Sequence, residues 1–113
     1  MLVAALITTS CASARPMADS KVGQADRAVV DAQQAGATAN ASMELATAQN
    51  KLKDAQAAVA KRDYQEAIKL ADQSTVDADY ARAKSINQRT SKAIEEMKQS
   101  QQVLRQELER LPQ

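Results

Sequence analysis

Proton transfer by side chains needs carboxylates held near one another or near a histidine, and one stretch of this chain gathers carboxylates: Asp63, Glu66, Asp72, Asp77 and Asp79. No histidine occurs in the 113 residues to share their protons. Charges at these spacings form a solvated helix face, and that is the role expected of them. Cys11 is the sole cysteine, and the two glycines are too few to build a phosphate-cradling loop. Tyr64 and Tyr80, the only aromatic residues, are expected to pack with a wet hydroxyl. No catalytic residue, metal site or cofactor is therefore expected, and the chain does not read as an enzyme.

Cys11 has another chemistry open to it. It closes an apolar opening run, Leu2 to Ile7, followed by Thr8, Thr9 and Ser10. That run fits a short secretory signal and falls well below the roughly 20 apolar residues that span a bilayer. Small residues before a cysteine resemble a bacterial lipobox, in which the cysteine is acylated and becomes the new N-terminus. Thr9 and Ser10 fit that pattern, whereas Thr8 stands where leucine is usual. No Lys or Arg precedes the apolar run, as expected if translation starts further upstream. Residues 1–11 are thus read as a signal peptide with lipidation at Cys11, and Ala12 after it fits sorting to the outer membrane. An alternative is cleavage after Ala14 in the A-x-A run Ala12-Ser13-Ala14, releasing a soluble periplasmic protein. The plainest reading of Cys11 is an inert small residue.

Fifteen basic residues against fourteen acidic ones leave a net charge of +1. That balance lacks the basic stripe needed to neutralise phosphates, so no nucleic-acid partner is expected. A single cysteine forms no intrachain disulfide, so packing alone must hold the fold.

The elements follow from apolar spacing and from breakers, and the fold class is all-α. Residues 12–19, with Pro16, read as a tether. A first helix is expected over about Ser20 to Ala35, with Val22, Ala25, Val29 and Ala32 on one face, ended by Gly36. After a short linker, Ala37 to Asn40, a second helix should return antiparallel over about Ala41 to Lys61, capped by Asn40 or Ser42. Its buried face is expected at Leu45, Ala48, Leu52, Ala55 and Val59. Asp63 and Glu66 form a capping-box-like start for a third helix. Neither glycine nor proline interrupts the chain from Asp63 to Leu111, which permits one helix of about 49 residues and roughly 73 Å. The 24 alanines let helix axes approach closely but bury little area per position.

That last stretch carries two seams. Tyr64, Ala67, Ala71, Ser74, Ala78 and Ala81 lead to Ser85 in one of small residues. Val76, Tyr80, Ala83, Asn87 and Thr90 begin another, which keeps heptad spacing through Ile94, Met97, Gln101, Leu104, Leu108 and Leu111. Two seams imply two neighbours for the first half of the helix. Residues 20–85 are read as an alanine-rich core and 86–113 as a C-terminal helix with a coiled-coil-like seam. The interaction surface is placed on Ile94, Met97, Gln101, Leu104, Leu108 and Leu111, facing a second copy or an envelope protein. The competing expectation is a break near residues 86–91 and a fourth helix that folds back over the bundle.

The runs Ala48-Gln49-Asn50-Lys51-Leu52, Ala60-Lys61-Arg62-Asp63-Tyr64-Gln65-Glu66-Ala67 and Ala78-Asp79-Tyr80-Ala81-Arg82-Ala83 resemble the domain-of-unknown-function family 4398. The resemblance covers about Ala25 to Ala83, with Ser42 standing where proline is common. It implies a short, alanine-rich helical bacterial envelope lipoprotein. Some relatives carry the module before a peptidoglycan-binding domain, which is not read in these residues. The family's activity is undefined, so the resemblance adds no site. Together with Cys11 it gives the expected role: a non-enzymatic envelope lipoprotein at the periplasmic face of the outer membrane, serving as a spacer or protein-interaction module. The alternative is a soluble periplasmic helical binding module.

Overall fold

A computed structural model describes residues 14–112, so Cys11 and the proposed signal segment lie outside the described residues. Four helices follow in order: α1 (Ala14–Gln34), α2 (Ala37–Asn40), α3 (Ser42–Ala60) and α4 (Tyr64–Arg110). The expected all-α architecture is present, with α2 a single turn where a linker was expected.

The start of α1 corrects the tether reading. Ala14 to Asp19 are already helical, and Ala18 is fully buried against Ala58 and Ala67. Pro16 falls in the first turn, where its missing N–H has no intrahelical acceptor to lose and its fixed φ suits the helix. Gly36 ends α1 as expected: its φ of 89° is the left-handed conformation, and its N–H donates to the Gln33 carbonyl at 2.9 Å.

The α3 start needs a second correction, because neither Asn40 nor Ser42 caps it. Ala41 is the N-cap and offers no side-chain bond, while the Asn40 amide turns back to donate to the Gly36 carbonyl at 3.0 Å. At the other end α3 closes in a Schellman turn. Asp63 N–H donates to the Ala58 carbonyl at 2.9 Å, and Arg62 N–H to the Val59 carbonyl at 3.0 Å. Arg62 takes φ 64° there, a position that glycine fills with less strain. Asp63 then caps α4 by accepting from Glu66 N–H at 3.3 Å. The Glu66 carboxylate pairs with Lys69 rather than returning to Asp63, so only half of the capping box forms.

The long helices run up, down and up. Ala18 of α1 sits at the level of Ala67, and the carbonyl of Ala35, just past the helix, accepts from Ser85 of α4 at 2.8 Å, so α1 and α4 are parallel. Lys51 pairs with Asp77, and Glu44 pairs with Lys84 further along, so α3 is antiparallel to both. Both earlier helices pack on the one small-residue seam: Ala67, Ala71, Ser74, Ala78, Ala81 and Ser85 are the buried residues of α4. Side chains of this size let two neighbours share a single stripe. The expectation that Val76 and Tyr80 would meet a second neighbour is therefore overturned, since they are 67% and 60% exposed. In α3, Ala58 completes the buried face and Val59 is only half-buried. Val29, Leu45 and Leu52 are the larger side chains in an otherwise alanine core, and each contributes about 1.5–3 kcal/mol by area removed from water.

Candidate functional site

α4 continues without a break through residues 86–91, so no fourth helix folds back. Its 47 residues make a rod of about 70 Å, and its last 25 extend about 37 Å beyond Ser85, where the bundle ends. Every residue from Ile86 to Pro112 is exposed. The residues expected at the interaction surface lie along one side of this arm: exposure runs from 48% at Ile94, through Met97, Leu104 and Leu111, to 67% at Leu108, with Gln101 open among them. The helix period brings all six together as one ridge.

The ridge is longer than the arm. Val76, Tyr80 and Ala83 continue it downward beside the bundle, on the side of α4 turned away from α1 and α3. These residues belong to the same exposed surface, and the signal for them was present as heptad spacing shared with the arm. The assumption that an apolar seam beside a bundle must be covered by that bundle hid them.

Where the bundle ends, the two sides of α4 part in character. The core seam, small up to Ser85, continues at the same spacing as Gln88, Lys92, Glu95, Gln99, Gln102 and Gln106. All six are exposed and suited to water. The opposite side stays mainly apolar to Leu111, with Asn87, Thr90 and Gln101 set among Ile94, Met97, Leu104 and Leu108.

Polar ties hold α4 at the point of departure. Ser85 Oγ and the Arg89 guanidinium, at 2.8 and 3.3 Å, both donate to the Ala35 carbonyl, which has no partner within α1 once that helix has ended. Lys92 Nζ donates to Asn40 Oδ1 at 3.3 Å. Deeper in the bundle, Ser74 Oγ donates to the Ala48 carbonyl at 2.7 Å, and Lys21 pairs with Asp72 at 2.8 Å. Lys51 pairs with Asp77 at 2.6 Å. Glu44 and Lys84 form a third inter-helix ion pair. The Lys84 hydrogen bond holds the Glu44 carboxyl below the ordinary glutamate value of 4.5, and the same bond holds the Lys84 ammonium above the ordinary 10.5.

The carboxylates read as a solvated face thus divide. Asp72 and Asp77 tie α4 to its neighbours, Asp63 caps it, Glu66 pairs along it, and only Asp79 stands exposed without one of these roles. They are not gathered into an acid–base site. Among the described residues no three His, Cys, Asp or Glu side chains come together as a metal-binding group, and no helix is long and apolar enough to cross a membrane. What the geometry offers is a narrow apolar ridge on a rod, a shape that binds other helices by interdigitation.

No curated protein and no solved structure matches the chain. A family model does, over residues 20–97, which take in the bundle from Ser20 onward and the arm as far as Met97. The chain belongs to the DUF4398 family, a domain of unknown function.

Proposed function

We propose that this chain is a non-enzymatic lipoprotein of the bacterial envelope, anchored through Cys11 at the periplasmic face of the outer membrane, and that it serves as a spacer and protein-interaction module. The observation that carries this reading is the uncovered ridge at the far end of the rod. The first described residue, Ala14, lies at the base of the bundle near the start of α4, and the ridge ends about 70 Å away at Leu111. An acyl anchor a few residues before Ala14 would fix the base at the membrane and hold the arm away from it. Rigidity comes from the unbroken helix, and specificity from the apolar ridge with its polar interruptions at Asn87 and Gln101.

Mass spectrometry of the protein recovered from its own membranes tests the anchor. A diacyl or triacyl glyceryl cysteine at position 11 is the expected N-terminus. An N-terminus at Arg15 would replace the anchored spacer with a soluble periplasmic binding module.

A further inference from the structure

The ridge has the pattern of a self-pairing surface. We propose that it pairs with the same ridge of a second copy of this chain, in parallel and in register, over Val76 to Leu111. This rests on the reading of the arm as an interaction module and names its partner.

The first argument is the placement of polar residues. In heptad terms Tyr80, Asn87, Ile94, Gln101 and Leu108 occupy a, and Val76, Ala83, Thr90, Met97, Leu104 and Leu111 occupy d. A parallel pair in register sets each a residue against its own copy, so Asn87 meets Asn87 and Gln101 meets Gln101, and every amide has an amide to bond. An antiparallel pair sets a against d, where Thr90 is the only polar residue. At least one of the two amides then faces an apolar side chain, leaving a desolvated polar group unpaired. Ile94 at a and Leu104 and Leu111 at d are also the shapes that favour two parallel strands.

Charge at the edges of the ridge argues the same way. The charged residues at g are both acids, Asp79 and Glu107; at e, Lys84, Lys98 and Arg105 are bases, and the one acid there, Asp77, is already paired with Lys51 of its own bundle. Parallel helices pair g of one copy with e of the other, bringing Asp79 to Lys84 of the second copy, whose ammonium it would share with Glu44. Antiparallel helices pair e with e and g with g, like charge against like.

Space and area are both sufficient. The ridge lies two residues, or about 200°, around α4 from the core seam, so two bundles stand on the outside of the pair without meeting. Eight large apolar side chains on or beside the ridge are 44–67% exposed, from Ile86 to Leu108. At roughly 60–100 Å² each, they supply roughly 1,000–1,600 Å² over the two copies, the range of a specific protein interface. A parallel pair also keeps both Ala14 ends together, as one membrane holding both anchors requires.

Disulfide trapping in cells tests the pairing on the full chain. Ala83→Cys and Leu104→Cys are introduced one at a time, with the parent chain reporting any product that Cys11 forms by itself. Facing d positions in a parallel pair lie within disulfide reach. Each variant is expected to give a product of twice the chain mass. Cells carrying both variants on chains of different size are expected to give no mixed product between positions 83 and 104. Adding Leu104→Lys to Ala83→Cys is expected to reduce the product at least tenfold, and adding Gln106→Lys, off the ridge, to leave it unchanged. A mixed product in place of the like pairs would overturn the parallel register. A product joining one chain to a different protein would overturn self-pairing while leaving the interaction module in place. Monomer alone at both sites would remove both.

Discussion

Residues before and after Ser85 belong to one helix, yet they obey different rules. In the lower half α4 buries Ala67 to Ser85 against two neighbours, and there the smallest side chains decide the fold because they set how close the axes come. In the upper half, beyond the ties of Arg89 and Lys92, no other helix among the described residues packs on α4, and the larger side chains Ile94, Met97, Leu104 and Leu108 stand open. The usual arrangement of bulk inside and small residues outside is reversed along one rod. Along α4 small residues mark intramolecular contact, and the large ones of the arm stand exposed.

The same substitution made in the two halves should separate them most widely. Ala78→Leu forces bulk into the closed seam and is expected to lower unfolding free energy by about 1–3 kcal/mol. Ala93→Leu in the arm is expected to change it by less than about 0.5 kcal/mol in the monomer. Urea titration of both variants below the association range measures this, and equal losses would erase the distinction between the halves.

Serine gives a smaller contrast. Ser85→Ala removes the bond from α4 to the end of α1 and is expected to cost about 0.5–1.5 kcal/mol, whereas Ser100→Ala in the arm should leave the unfolding midpoint unchanged. At the α3–α4 turn the expected sign is opposite. Arg62→Gly relieves a left-handed non-glycine residue and should raise stability by about 0.5–1 kcal/mol, read as an upward shift in Tm.

The smallest effect lies at the boundary and depends on pH. Glu44 has a folded-state pKa below 4.5, so its contribution is present above that value and is lost as pH falls through the depressed pKa. Lys84 has a folded-state pKa above 10.5, so its contribution is present below that value and is lost as pH rises through the raised pKa. The pair therefore supports the bundle fully between 4.5 and 10.5 and weakens on both sides. The difference in urea midpoint between the parent and Glu44→Gln should be flat inside that window and shrink outside it. High salt should reduce it throughout, because the pair is partly exposed.

Much of this architecture is legible in the residues. The absence of glycine and proline from Asp63 to Leu111 foretells the long helix, Gly36 its turn, and Ala67 to Ser85 the buried seam. Those signals are local: a breaker or a spacing acts on the helix that carries it. What escaped depends on choices between helices. Pro16 suggested a tether because a proline in a first turn and one in a linker look alike without knowing that Ala18 is buried. Val76 and Tyr80 fit a covered seam equally well until α1 and α3 are seen sharing the other side. Asp72 and Asp77 looked like solvent-facing charge because their partners, Lys21 and Lys51, lie on other helices and distant in sequence. The ridge itself was readable from Ile94 to Leu111, and only its lower end needed the fold.

A distance along the rod tests the uncovered ridge most directly. Spin labels at Gln65→Cys and Glu109→Cys, in the full chain with Cys11→Ser and diluted into unlabelled protein, report it by pulsed dipolar spectroscopy. Forty-four residues of unbroken helix put the labels about 66 Å apart. A fold-back near residues 86–91 would bring them within about 10–15 Å, with the leucines covered by the chain's own bundle, and the arm would not exist.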